Sequence, residues 1–326
     1  MSIKLSVIVP VYGVEKYIER CAISLFEQTL EDVEYIFVND KTRDSSIEVL
    51  NSVIRRYSNL ANKIKVINHD KNLGSAASRA TGLKYAQGKY IINCDSDDWV
   101  DKELYERMYL LAEKEDADIV CCNFKFIYNN SEKKVNFNNN TSDFLNLHSL
   151  NFDLLYSSLC NKIVNRKLYL DNRIYFYQDI NMWEDLGIMT RLRYYCNSVA
   201  FLQDKLYYNY NKQNQSSIVS VPKESNIQQQ IACARQLEKF FLDKSGDYSL
   251  VISFLKFMAK SDYLYNNKIR NIDKWCNIFE ETHEDIFKYK TLPSNMKWLA
   301  WLAANNQILL LKILISIKNR LIEFKR

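Results

Sequence analysis

Residues 5–12 read LSVIVPVY. The run is apolar throughout and lacks the alternation of a strand with one wet face. It therefore predicts a strand buried on both sides, ended by Pro10, which has no amide to donate. What surrounds it decides the kind of sheet. From Val14 the positions Val14, Tyr17, Ile18, Cys21 and Leu25 recur at helical spacing, and VEYIFV (33–38) reads as a second strand. Asp44 then caps a helix whose inner face is Ile47, Leu50, Ile54 and Tyr57. IKVIN (64–68), a helix over 74–86 and KYIINC (89–94) repeat the alternation. Such βαβ units predict an α/β, Rossmann-like fold, a mostly parallel sheet flanked by helices. A helix over 101–114 and a strand over 117–128 follow, then a polar loop or hairpin through 129–144. The segment 150–210 is mixed, and beyond about residue 220 the pattern is helical to the end. Two domains are expected, 1–220 and 221–326.

The 326 residues suffice for a full core at 47% hydrophobic and 25% charged, and six glycines with three prolines are too few for a sandwich of tight turns. Residues 1–9 read as a first strand, not as a secretory leader, and no apolar run approaches the ~18 residues of a membrane span. The eight cysteines sit among apolar neighbours with no CxxC pair and no histidine at zinc spacing, the pattern of reduced core thiols in a cytoplasmic protein. A net charge of +5 is modest and gives no nucleic-acid signal.

Ligands of open parallel sheets bind beyond the carboxyl ends of the strands. Four polar clusters lie there: PVYG (10–13), NDKTRD (39–44), DKNLG (70–74) and DSDDW (95–99). Neither GxGxxG nor GxxxxGK[ST] is present, so a phosphate ligand must be met by a metal or by Lys and Arg. Asp95 and Asp97 offer the hard oxygens that Mg²⁺ or Mn²⁺ takes alongside substrate phosphates. A calcium loop fails, because Trp99 and Val100 stand where an oxygen ligand and the invariant glycine belong.

In this order the clusters resemble the family 2 glycosyltransferases, which have the GT-A fold. The matching stretches are LSVIVPVYGVEKYIERCAISLFEQT, EYIFVNDKTRDSS, NLGSAASRATGLKYAQGKYIINCDSDDWV and WEDLGIM. The likeness is dense over 3–105, thinner but ordered from 159 through 220, and does not reach the last hundred residues. It implies a nucleotide-sugar-binding half over 1–115 and an acceptor-binding half over 116–220. Pro10, Val11 and Tyr12 would line the base pocket, and Asp40 would accept a hydrogen bond from uracil. Arg79 would be the basic residue near the donor. Asp95, Ser96 and Asp97 form the DxD motif, with Asp97 the direct metal ligand and Asp95 beside it. Asp185 would be the catalytic base with Glu184 next to it, and Lys212–Ser217 would close over the diphosphate. Two stretches depart from the pattern: NDKTRD replaces NDGSTD, and SRATG replaces ARNxG.

The implied activity is inverting, metal-dependent transfer from a nucleotide sugar, most simply a UDP-sugar, to a glycan or lipid-linked acceptor in surface polysaccharide synthesis. A sugar-phosphate nucleotidyltransferase would share the sheet but needs a Gly-rich basic signature early in the chain. An inactive nucleotide-sugar-binding scaffold would have no need of both Asp97 and Glu184–Asp185. Simpler readings of single residues remain: Glu184 and Asp185 complement a helix dipole, and Lys162 either reaches a phosphate or lies on the surface. The tail, 297–326, combines Trp298, Trp301 and an Ile/Leu cluster with interspersed Lys and Arg. It suits either a helix in the interface of the inner membrane face or one packed on the protein or on a second copy in a homo-oligomer.

Overall fold

The computed structural model describes residues 2–137, 141–214 and 223–323, without the side chains of 141–142 and 317–323. Contacts divide the chain into one unit of Met1–Asn146 with Phe152–Val221 and another of Leu147–Asn151 with Pro222–Arg326.

In the first unit the strands are β1 (Leu5–Val11), β2 (Val33–Asn39), β3 (Ile64–Asn68), β4 (Tyr90–Asn93), β5 (Trp99–Val100), β6 (Ile119–Cys122), β7 (Phe124–Ile127), β8 (Glu132–Val135), β9 (Lys162–Asn165), β10 (Val199–Leu202) and β11 (Tyr208–Asn211). Among the described residues they form a seven-stranded sheet, β10-β6-β9-β4-β1-β2-β3, and a smaller one, β5-β11-β7-β8. β3, β2, β1 and β4 run parallel, whereas β9 is antiparallel to both β4 and β6. The βαβ alternation thus gives the expected parallel half, and the reversed β9 lies where the pattern was mixed.

β1 is buried on both faces because helices cover both. The helix Ile18–Phe26 turns Ile18, Cys21, Ala22 and Leu25 inward, and the helix Ser75–Tyr85 packs so closely that a Cβ on Gly82 would lie 2.3 Å from Ile8 Cγ2. Pro10 does not end β1, which continues to Val11. The Ile8 carbonyl accepts from the Cys94 amide on the β4 side; two residues on, Pro10 faces the same side, where β4 has already ended and no ladder bond is lost.

The run 117–128 is two strands in different sheets. It breaks at the buried Asn123, whose side-chain oxygen accepts from the Phe137 amide while its own amide donates to Leu202. A polar residue satisfied sideways lets the chain leave one ladder for another. The polar excursion begins as a hairpin, β7 with β8.

The second unit is helical, with long helices Glu224–Leu242, Ser249–Lys260, Ser294–Ala304 and Ile308–Glu323. Its core includes the fully buried Trp275, Tyr263 and Tyr289. The Lys260 amine lies inside this unit, donating to the carbonyls of Ile278 (2.6 Å) and Phe279 (3.0 Å), with His283 Nε2 at 2.9 Å.

Candidate active site

The carboxyl ends of β1, β2 and β4 meet in loops held by side-chain bonds to backbone amides. Asp44 organises the first pair: its Oδ1 accepts from the Ser46 amide (3.1 Å) and its Oδ2 from the Glu15 amide (3.0 Å), while Gly13 donates to Thr42 Oγ1. This fixes the segment after β1. Tyr12 is exposed there, but Val11 is fully buried and its carbonyl accepts from the Asp40 amide, so Val11 offers a ligand no side chain. Pro10 is half-buried. Lys41 and Arg43 point to solvent.

Asp40 is buried, with both carboxylate oxygens engaged. Oδ1 accepts from the Leu73 amide at 2.8 Å and lies 2.8 Å from His69 Nδ1, and Oδ2 accepts from the Gly74 amide at 2.7 Å. His69 in turn meets Thr81 Oγ1 through Nε2. Gly74 has φ +92°, and a Cβ there would lie 2.2 Å from the Asn181 amide group, so glycine is required. The helix Ser75–Tyr85 starts at this point, its Ala76 amide donating to Asn181 Oδ1. Asp40 thus anchors the helix that carries Arg79.

Arg79 projects from that helix with a side chain only 6% exposed. Nη2 donates to Asp95 Oδ1 (2.6 Å), Nη1 donates to Glu184 Oε1 (2.9 Å), and Nε lies 3.8 Å from Asp185 Oδ1. One guanidinium therefore joins the acidic loop after β4 to the first turn of the helix Glu184–Tyr195. Burial opposes its charge, but Asp185, Asp95 and Glu184 outweigh that and hold Arg79 well above its ordinary range. The Glu184 carboxyl, also hydrogen-bonded by Ser75, is pushed up to about 7 by burial against the pull of Arg79, with Asp185 adding to the rise. Burial likewise raises Asp185. Its Oδ2 accepts from the Leu159 amide at 3.2 Å, and its buried Oδ1 has no hydrogen-bond partner among the described residues.

The three acids after β4 differ in situation. Asp98 is buried and serves as a brace: Tyr208 donates to Oδ2 (2.6 Å) and the Asn211 amide to Oδ1 (2.7 Å), tying the loop to β11. Asp95 and Asp97 remain partly open, and Ser96 between them is buried. Burial and the Asp95 charge raise Asp97, whose Oδ2 accepts from Asn214 at 2.9 Å. Opposite, the Arg20 guanidinium sits 3.4 Å from the centre of the Trp99 ring. The pair Asp95 and Asp97 suits a divalent cation: two partly open carboxylates share one loop, and burial already disfavours the charge on Asp97. Among the described residues no group of three or more His, Cys, Asp or Glu side chains would hold a metal alone. Mg²⁺ needs none when one or two carboxylates are joined by phosphate oxygens.

Lys162 is neither at a phosphate position nor on the surface. It is fully buried, donating to the carbonyls of Leu155 and Ser158 (both 2.7 Å) and to Asn161 Oδ1 (2.8 Å), so it stitches the segment carrying Leu159. The segment expected over Lys212–Ser217 is described through Asn214; residues 215–217 lie outside the described residues. His69, Asn181, Leu159 and Tyr208 were given no role in the sequence, since each acts through hydrogen bonds to residues distant in the chain.

Residues 6–172 match the profile of glycosyl transferase family 2. EpsJ of Bacillus subtilis (strain 168), an uncharacterized glycosyltransferase, is 44% identical over 119 residues, 36% of this chain and 33% of that protein. The poly(ribitol-phosphate) beta-glucosyltransferase of Bacillus spizizenii is 26% identical over 305 residues, 92% of this chain and 44% of that protein. The chain thus spans between a third and a half of the length of these two relatives. The crystal structure of S. aureus TarS 1-349 in complex with UDP-GlcNAc superposes with a TM-score of 0.72 at 21% identity, covering 97% of this chain and 92% of that one. That likeness shows the GT-A fold.

Proposed function

Because the chain belongs to glycosyl transferase family 2, we propose that it is an inverting, metal-dependent glycosyltransferase. It would take a sugar from a UDP-sugar and pass it to a glycan or lipid-linked acceptor of a surface polysaccharide. The reaction would run on the cytoplasmic side, with peripheral membrane contact through 297–326. The observation that carries the reading is the Arg79 bridge, which sets the Asp95 loop beside Glu184 and Asp185 and leaves Asp185 Oδ1 at ion-pair distance, without a hydrogen bond among the described residues. Tyr12 and the loop after β1 would receive the base. Asp40 would reach uracil only by sharing oxygens that now hold Leu73, Gly74 and His69.

Asp97, with Asp95 beside it, would hold Mn²⁺ or Mg²⁺, which neutralises charge developing on the departing diphosphate. The acceptor hydroxyl is a poor nucleophile and needs a base within hydrogen-bond reach. Asp185 fills that role: Leu159 fixes Oδ2, and the buried Oδ1, 3.8 Å from Arg79 Nε and without a hydrogen bond among the described residues, would take the proton once the acceptor hydroxyl reaches it. A single carboxylate acting opposite the leaving group gives one displacement and inversion. Arg79 holds Asp185 and Glu184 toward the donor loop.

The test has two parts. A thermal-shift screen of UDP-, GDP- and CMP-sugars with and without Mn²⁺ should show metal-dependent stabilisation by a UDP-sugar. Asp185→Asn should keep that shift and lose transfer by about 10²-fold or more; near wild-type transfer would remove Asp185 from the mechanism.

A further inference from the structure

The helical unit leaves large apolar side chains in water. In the helix Ile308–Glu323 only Leu311 and Ile315 are buried among the residues whose side chains are described, while Leu309 is 75% exposed, and Leu310, Ile313 and Leu314 lie open on either side of that stripe. The preceding helix, Ser294–Ala304, exposes Trp298 (54%) and Trp301, which meet edge to face at 5.7 Å, and Phe287 packs edge-on against Trp298 at 5.2 Å. Scattered single apolar residues on a surface are ordinary; a set of this size on consecutive elements marks a contact.

Charge selects the occupant. Lys290 and Lys312 are exposed in or beside these elements, while Lys288 is paired with Asp285 at 2.7 Å, and residues 297–326 carry six Lys or Arg against one acid, Glu323. A second copy would bring like charges face to face, which disfavours self-association. An anionic lipid surface offers the opposite charge, a polar zone for indole N–H groups and an apolar layer for leucines. No helix among the described residues is long and apolar enough to cross a membrane, so contact would be in the plane of the interface.

We propose that the exposed faces of Ser294–Ala304 and Ile308–Glu323 dock on an anionic bilayer surface, with Trp298, Trp301, Leu309 and Ile313 entering the interface and Lys297 and Lys312 at the headgroups. This deepens the peripheral contact proposed above and rests on it, but not on the transfer chemistry.

The full protein is sedimented with vesicles of phosphatidylcholine alone and of phosphatidylcholine with phosphatidylglycerol. Binding should require the anionic lipid and weaken at high salt. Lys297→Glu with Lys312→Glu should weaken it at least about fivefold for each charge removed. Trp298→Ser with Trp301→Ser, and separately Leu309→Ser with Ile313→Ser, should abolish it while donor turnover is unchanged. The leucine–isoleucine pair keeps the test valid should the tryptophan variant misfold. No binding to anionic vesicles, or binding indifferent to all three variants, overturns the proposal. A stable dimer that Leu309→Ser with Ile313→Ser dissolves also overturns it, by showing that a second copy covers the face. Donor turnover without vesicle binding sinks the docking alone; vesicle binding without turnover sinks the transfer reading alone.

Discussion

Replacing Lys162 by methionine separates two accounts of one residue. Were Lys162 a phosphate ligand, its loss would raise the KM for the donor and leave stability nearly unchanged. The structure assigns it interior work. Its ammonium donates to the Leu155 and Ser158 carbonyls and to Asn161 Oδ1, all within 2.8 Å, with no carboxylate among these acceptors. In Lys162→Met the unbranched stem is kept and the donors are lost. Asn161 Oδ1 still has the Ser158 hydroxyl at 2.7 Å, so two buried carbonyls are stranded, at roughly 1–3 kcal/mol each. The native amine also carries a penalty, since burial lowers its pKa, and methionine removes it. The balance is a destabilisation of about 2 kcal/mol.

The functional effect is transmitted through Leu159. Its amide holds Asp185 Oδ2 from within the stitched segment, so loosening 155–161 lets the base drift. A displacement near 1 Å costs on the order of 10²-fold in rate. Urea unfolding gives the first quantity, and initial rates over a range of donor concentrations give the second. Lower stability with a fall in kcat and little change in donor KM is expected. Unchanged stability with a raised donor KM would overturn this account and restore the phosphate role.

Three further substitutions probe other parts of the frame. Arg79→Met strips the partner from Glu184 and Asp95; it should cost about 3 kcal/mol, the low end for breaking a buried pair, because Asp95 and Asp185 keep 29% and 28% of their side-chain surface exposed. Urea unfolding in EDTA measures this, and a loss below about 1 kcal/mol, the level of a surface pair, would contradict it. Gly82→Ala drives a methyl to 2.3 Å from Ile8 Cγ2 and should cost roughly 1–3 kcal/mol. Ile8→Ala in the same chain should recover part of that, and strict additivity in the double-mutant cycle would exclude the clash. Burial lowers Lys260 to about 7 from 10.5, against weaker upward pulls from Cys276, Glu281 and Glu280. The unfolded chain then holds the extra proton between pH 7 and 10.5, so stability rises with pH there by at most ~1.4 kcal/mol per unit. Thermal melts of wild type and Lys260→Met should diverge in slope above pH 7, and parallel curves would show that the amine does not titrate there.

The parallel half of the sheet was legible because its cause is local. Apolar runs of five to eight residues separated by helical periodicity leave few topologies, and the right-handed βαβ rule leaves fewer. What was missed had non-local causes. Nothing in IVCCNFKFI announces that Asn123 will be satisfied by Phe137 and Leu202 and so end one ladder and begin another. Pro10 read as a stop because its neighbour's length is not written in the strand itself; it is tolerated only because β4 is shorter than β1.

The site shows the same division with a sharper consequence. The order of the motifs carried which residues would converge, but not the charge balance of the place where they meet. Asp95, Asp97, Asp98, Glu184 and Asp185 are five carboxylates, and Arg79 is the guanidinium bonded to two of them. Each of Asp97, Asp98, Glu184 and Asp185 has its pKa raised, burial being the first cause every time. A raised carboxyl stabilises the fold below its unfolded pKa relative to above it, so near neutral pH these groups work against the folded state. The fold tolerates this because Asp98 is braced by Tyr208 and Asn211, and Glu184 by Ser75 and Arg79. Among the described residues Asp97 has the Asn214 amide with a weaker pull from Lys212, and Asp185 Oδ1 has the Arg79 Nε at 3.8 Å but no hydrogen bond. Structural acids would be expected to carry their compensation with them. The two with the lighter compensation are those for which a cation and a hydroxyl proton are the proposed partners, and incompletely met charge at these two positions favours binding both.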